Sequence, residues 1–216
     1  MKKKSKIFVK VLVISLLVVA AAVTALYIMF KPAPAVSIGE NAVTAKQLVT
    51  YSDDYIKEYC RNKNVYLSGI EMQIDGGQVG EVTMIYAYVR WERYHGYEVN
   101  MNAAEHMIYG IGYAEMRGIR SGRFMDFSTW KIDSNEAIEI ALQGLQEKGY
   151  EIDDSKVSIE GRRDATQTDR WLITFYSDSN IEKYQGAPYV FVNAHTGEII
   201  NFTINQKRYE WSESTP

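Results

Sequence analysis

Apolar residues fall along this chain in three rhythms: one unbroken run, two stripes of helical spacing, and several stretches that alternate residue by residue. The run, Val11 to Phe30, holds 20 residues without a charge, and Lys2, Lys3, Lys4, Lys6 and Lys10 precede it. At 1.5 Å per helical residue it would reach about 30 Å, the thickness of a bilayer hydrocarbon core. Lysines on its N-terminal side keep that side cytoplasmic, which puts the C-terminal part outside the cytoplasm. Val11–Phe30 is therefore expected to anchor the chain in a membrane. The competing reading is a cleaved signal peptide, since Ala20-Ala21-Ala22 and Ala33-Pro34-Ala35 offer small residues. A secretory apolar core runs only about 7–15 residues, so the length favours the anchor. Lys31 to Glu40, KPAPAVSIGE, holds two of the four prolines and reads as a stiff spacer.

The first helical stripe is Ala45, Leu48, Val49, Ser52, Tyr55, Ile56, Tyr59 and Cys60, which predicts a helix over Thr44–Arg61. Asp53, Asp54, Lys57 and Glu58 fall largely on its other side. The second stripe is Ala137, Ile138, Ala141, Leu142 and Leu145. Asp133 before it, with Glu136 three positions on, is the pattern that satisfies free amides at a helix start, and Gly149 sits where a C-terminal cap belongs. Strands are predicted at Val65–Ile74, Val79–Arg93, Tyr97–Met101, Met107–Tyr113, Val157–Arg162 and Arg170–Ser177, then in a hairpin from Tyr189 to Thr203. Val82, Met84, Tyr86 and Tyr88 share one strand face by alternation. Asp75-Gly76-Gly77 and Asn193–Gly197 carry turn chemistry, because Asn bonds its own backbone and Gly accepts positive φ. His95-Gly96 reads as a break, Ala114–Phe127 as a connection, and Gln206–Pro216 as a polar tail.

The two halves repeat one order, a helix followed by four strands. Asn102-Ala103 and Asn193-Ala194 are 91 residues apart, and the pairs Ile108/Ile199 and Val82/Ile173 keep that offset. The predicted class is α+β: an N-terminal transmembrane helix followed by two helix-on-antiparallel-sheet units. The boundaries are 1–30 for the lysine cluster and anchor, 31–40 for a linker, 41–128 and 129–205 for the two units, and 206–216 for the tail. One helix hides one face of a four-stranded sheet, so two such units can cover each other or leave a face for a partner.

Composition narrows the function classes. Residues before position 31 carry five lysines and no acid, so the remainder has 19 basic and 27 acidic side chains, net −8. Such a domain is repelled by nucleic acid, which is discarded as a partner. Cys60 is the only cysteine, so no intrachain disulfide forms, and its place on the apolar stripe predicts a buried thiol. The histidines, His95, His106 and His195, lie in or beside predicted turns, and His195 is expected to point into solvent. No HExxH, CxxC or GxSxG occurs. Ser68-Gly69 and Ser121-Gly122 lack the context of a nucleophile. Asp53-Asp54 and Asp153-Asp154 are adjacent pairs that point apart, and Gly110, Gly112 and Gly118 do not make a phosphate loop. No catalytic, cofactor-binding or metal-binding residue is assigned. The 16 tyrosines offer sheet packing first and stacking of a glycan or peptide second.

The second half, DSNEAIEIALQGLQEKGY, then RWLITFY, then YVFVNAHTGEII, resembles a PepSY-type domain. The likeness rests on Asp133 to Ala137, on Trp171 leading a strand, and on Tyr189 to Ile200 closing on an Asn-Ala-x-Thr-Gly-Glu-Ile turn. It covers about residues 130–204. Residues 41–113 resemble a degenerate copy in which His106 stands opposite Gly197. An anchor followed by two such units is also similar in architecture to bacterial extracytoplasmic regulators of cell-wall synthesis. The resemblance implies a cystatin-like helix-on-sheet fold and a non-catalytic role with no site residue to transfer. It implies binding to a separate extracytoplasmic protein, a peptidase or a cell-wall enzyme. The rival expectation is an extracytoplasmic small-ligand or glycan sensor using the tyrosine-rich sheet.

Overall fold

The computed structural model describes residues 13–26, 31–39, 44–90, 93–114 and 124–210 of the 216-residue chain. It falls into two units, Met1–Ala33 and Pro34–Pro216. In the first, residues 13–26 form helix α1, exposed along its length. No helix among the described residues is long and apolar enough to cross a membrane. Both ends of the expected span Val11–Phe30, and the five lysines before it, lie outside the described residues.

The second unit is α+β. Its elements are β1 (Val36–Ser37), α2 (Ala45–Tyr59), β2 (Tyr66–Asp75), β3 (Gln78–Arg90), β4 (Arg93–Asn102), β5 (Met107–Ala114), a 3-10 turn (Phe127–Thr129), α3 (Ser134–Glu147), β6 (Lys156–Arg163), β7 (Asp169–Phe175), α4 (Asp178–Tyr184), β8 (Tyr189–Asn193), β9 (Ile199–Ile204) and β10 (Lys207–Glu210). The strands form one ten-stranded antiparallel sheet in the order β1-β5-β4-β3-β2-β6-β7-β8-β9-β10.

This topology corrects several boundaries. The two expected units share one sheet and one compact body rather than standing as separate domains. The expected linker contributes β1, which pairs Val36 with Ile108, and the expected tail contributes β10, which pairs Tyr209 with Phe202. A short extended segment gains ladder bonds wherever a sheet edge is open, and local composition does not report that. His95 and Gly96 lie inside β4, opposite Tyr88 and Ala87, so they do not break it. Of the expected connection Ala114–Phe127, residues 115–123 lie outside the described residues. Helix α4 was not expected. Its Asn180 side chain both accepts from the Asp153 amide and donates to the Asp153 carbonyl, replacing sheet bonds for the loop before β6.

The repeats meet at β2 and β6. Met72 stands opposite Ile159, Ile70 opposite Gly161 and Ile74 opposite Val157. Directly opposed residues share a face, so the apolar face of one repeat continues into the other. Both helices cover that face. On α2, Ala45, Leu48, Val49, Ser52, Tyr55 and Ile56 are buried, as the stripe predicts. Each large apolar side chain so buried contributes about 1.5–3 kcal/mol. Thr44 and Gln47 form a reciprocal capping box at its start. Asp133 caps α3, its carboxylate accepting from the Ser134 amide at 2.6 Å. On α3, Ala137, Ala141 and Leu145 are buried, whereas Ile138 and Leu142 stay half-exposed.

The connection between the repeats docks through aromatic rings. Trp130 meets Trp171 edge-on with ring centroids 4.9 Å apart, and Phe127 lies 4.8 Å from Trp130. Gly161 makes room for this cluster: a Cβ there would lie 2.7 Å from the Trp171 ring.

Candidate functional site

The antiparallel seam relates the repeats by an approximate two-fold, and each helix borders a groove: the one beside α3 faces turns of the first repeat, while the one beside α2 is walled by its own repeat and the inter-repeat connection. The groove beside α3 measures about 580 Å³ and the one beside α2 about 590 Å³. Four helix positions correspond. Lys46, Val49, Thr50 and Asp53 of α2 take the places of Asn135, Ile138, Glu139 and Leu142 of α3, each 89 residues further on. Beyond the helices the two grooves differ.

The α2 groove is flanked by the inter-repeat connection. Met125 and Phe127 are buried, and the Met125 amide donates to the Leu67 carbonyl at 2.9 Å. Asp126, Lys46, Lys57 and Lys63 all line it, and the Asp126 carboxylate accepts from the Ser128 hydroxyl at 2.5 Å. Asp53 also lines it, accepting from the Tyr86 hydroxyl at 2.6 Å rather than sitting on the solvated helix face expected from the sequence. Burial first, and the Asp53 charge second, push the Tyr86 hydroxyl's pKa far up, so it stays a donor. Further on, the Lys131 and Ile132 amides both donate to the Ala194 carbonyl at 3.0 Å, and Trp171 Nε1 donates to the Ile132 carbonyl at 2.9 Å.

The α3 groove carries no such segment among the described residues. Its floor and walls are Ile74, Val79, Ala103, Val157, Ile138 and Leu142. Glu139 and Asp154 provide its charge, and among the described residues no lysine or arginine lines it. His106 lines it as well, and its ring Nδ1 is buried without a hydrogen-bond partner.

A second cluster fixes the β8–β9 turn. Asp169, 2% exposed, receives Arg163 through both oxygens at 2.7 and 2.8 Å, and His195 Nε2 lies 3.0 Å from its Oδ2. His195 Nδ1 lies 3.2 Å from the Thr129 carbonyl. Both ring nitrogens face acceptors; a neutral imidazole satisfies one of them and an imidazolium both. Burial alone would raise the Asp169 carboxyl, but Arg163 and His195 outweigh it and hold the group below its ordinary value. The expected solvent-pointing His195 is thus corrected: the turn folds its ring back onto β7 and the connection. Nothing local in the sequence marks Asp169 or Arg163 as its partners.

The remaining candidates scatter. Cys60 is buried, and burial pushes its thiol up. Asp54 pairs with Lys57 at 3.4 Å on the surface, while Asp153 is held well below its ordinary value by Ser179 and Ser155 at the α4 junction. His95 stacks on Tyr88 at 5.3 Å. That pair extends to Tyr97 at 5.2 Å and to Tyr113 at 5.5 Å, making a ladder whose last ring is 85% exposed. No three or more His, Cys, Asp or Glu converge on a metal position among the described residues. Ser121, Gly122 and Gly118 lie outside those residues.

Compared with protein-family models, curated proteins and solved structures, the chain matches none of them.

Proposed function

We propose that this chain is a non-catalytic interaction module. It is held at a membrane through Val11–Phe30, with its N-terminus cytoplasmic, and it binds and regulates an extracytoplasmic envelope protein, a peptidase or a cell-wall enzyme. The observation that carries the reading is the α3 groove: a recess of about 580 Å³ with an apolar lining and half-exposed Ile138 and Leu142. Apolar surface left open beside a polar rim is what a protein interface requires. The PepSY-type likeness of residues 130–204 supports the same reading, as does the order of helix and four strands found in both repeats. The test is crosslinking in intact membranes followed by purification of the full chain. Recovery of one stoichiometric envelope protein supports the module. An unbound chain, found in the cytoplasm, would remove it.

A second reading has its own observation. The ring ladder of Tyr88, His95, Tyr97 and Tyr113 ends in an open face suited to stacking on a sugar or a small aromatic ligand. A rise in melting temperature with cell-wall oligosaccharides, abolished in Tyr113→Ala, would favour this sensor over the protein-binding module.

A further inference from the structure

We infer that the outer edge of β5 receives an extended strand of the partner protein, antiparallel to Gly110–Tyr113, in the place that β10 takes beside β9. The inference rests on the interaction-module reading and specifies the surface used and the kind of segment that binds there.

The second repeat supplies the template. Strands β5 and β9 carry a bulge at the same point. Asn100 pairs with Gly110 and Met101 with Ile108, passing over Tyr109; Phe191 pairs with Asn201 and Val192 with Ile199, passing over Ile200, 91 residues further on. Beyond its bulge β9 pairs Asn201, Phe202, Thr203 and Ile204 with β10, and all four are buried. Their counterparts are Gly110, Ile111, Gly112 and Tyr113. Among the described residues no strand lies outside these, because β1 pairs only with Met107 and Ile108. Pro34 stops β1 from running further: it has no amide, and its carbonyl accepts from the Tyr55 hydroxyl at 2.5 Å. Gly110, Ile111 and Gly112 stay half-exposed and Tyr113 is exposed. The two edges also differ in charge. Lys207, Arg208 and Glu210 on β10 are the kind of residue that keeps strand edges apart, whereas Met107–Ala114 holds no charge.

Neither the chain itself nor a second copy suits this edge. At the 91-residue offset the counterparts of β10 are residues 116–119, which lie outside the described ones. β3 fills the near side of β2, so Met125, bonded to Leu67, lies on the far side. That is five strand spacings across and three residues along from a residue opposite Gly110, about 26 Å. The six residue steps from 119 to 125 reach at most about 22 Å. Two β5 edges paired about a two-fold would set Gly110, Gly112 and Ala114 against one another, leaving one face of the joint without side-chain contacts. A strand of another protein supplies them. On the helix side its alternate residues meet Ile111 and Tyr113. Tyr209 stacks on Phe202, the counterpart of Ile111, at 5.0 Å, and the ring ladder ends at Tyr113. The matching segment is therefore apolar or aromatic at two alternate residues and held by main-chain bonds along the edge.

For the test, a photoreactive benzoylphenylalanine replaces Tyr113 in one full-length variant and Tyr209 in another, and both are irradiated in intact membranes. The expected result is an adduct with one extracytoplasmic protein from position 113 and none from position 209. The partner segment carrying the adduct is then synthesised and added to full-length protein in detergent. Amides of residues 110–113 are expected to exchange about tenfold or more slowly, with no change at Lys207–Glu210. Gly112→Lys places a charge on the edge. Gly112 has no positive φ, and a Cβ there would lie 3.9 Å from its nearest neighbour, Asn100 Nδ2, so the melting temperature should hold while adduct and protection are both lost. An adduct without protection of residues 110–113, or protection that survives Gly112→Lys, overturns the inference. An adduct with a second copy, or with residues 115–123 of the same chain, overturns it by naming another occupant. If whole-chain crosslinking captures an envelope protein and position 113 does not, the module reading survives and only this edge assignment fails. If neither captures one, the module reading fails and this inference with it.

Discussion

The turn Asn102–His106 and the turn Asn193–Gly197 hold matching places with different side chains and different closing bonds: the His106 amide donates to the Ala103 carbonyl, the Gly197 amide to the Asn193 carbonyl. In both, the Asn carboxamide accepts from a backbone amide ahead of it: Glu105 in the first, His195 and Thr196 in the second. In both, the last residue has positive φ, +54° at His106 and +77° at Gly197. The first repeat therefore keeps the turn without the glycine. His106 pays a left-handed backbone cost of about 1–2 kcal/mol that Gly197 avoids. What Gly197 has gained is close packing: a Cβ there would lie 3.2 Å from Ile140 and 3.4 Å from Ile132. The second turn is packed against α3 and clamped by an ionic cluster, while the first borders an open groove. One duplicated motif thus serves as a structural clasp in one repeat and as a recess wall in the other.

The largest break in this comparison comes from Gly197→Val. Backbone strain and overpacking against Ile140 and Ile132 together should cost about 4 kcal/mol, read as a drop in the urea midpoint. Next is Asp169→Ala, which leaves Arg163 and His195 facing each other without their carboxylate. Its expected cost is about 3 kcal/mol, with no counterpart in the first repeat. The same cluster sets a pH dependence. The folded Asp169 pKa is depressed, so its contribution is complete above the ordinary aspartate value and fades as pH falls below it toward the lowered folded value. Urea titrations at pH 7 and pH 3 should show the gap between wild type and Asp169→Asn closing at the lower pH; a constant gap would exclude the carboxylate as its source.

His195→Ala should cost about 1.5–3 kcal/mol, the worth of one hydrogen bond to a charged group. A cost near zero would restore the solvent-pointing ring that the sequence suggested. The smallest effect is expected from His106→Gly. Relief of the left-handed backbone is offset by greater freedom of the unfolded chain, so calorimetry should find stability within about 1 kcal/mol of wild type.

Much of this was legible in the sequence. The apolar stripe of α2 maps onto its buried residues, and alternation placed Val82, Met84 and Tyr86 on one buried face. The 91-residue offset pairs the two turns and sets His106 against Gly197, and both have positive φ. The stripe of α3 included Ile138 and Leu142, yet periodicity alone does not say how far a sheet extends beneath a helix. Their half-exposure marks the groove. The pairing of β2 with β6 joins strands far apart in sequence, and no local signal encodes it. The salt cluster on Asp169 was equally hidden, because its members come from β6, β7 and the β8–β9 turn and meet only after the strands align. The edge strands β1 and β10 are short polar-flanked segments whose order comes from the neighbours they pair with.

The β2–β6 seam also sets a schedule for the growing chain. Hairpins within the first repeat close between neighbours in sequence and need only short loops. The opposite edge of β2 has no partner until residues 156–163 have been made, after the connection and all of α3. For that interval the nascent first repeat presents an unpaired strand edge backed by Ile70, Met72 and Ile74, a surface open to pairing with other unfinished chains. Slowing synthesis between the repeats should therefore lower the yield of folded protein more than slowing it after Arg163.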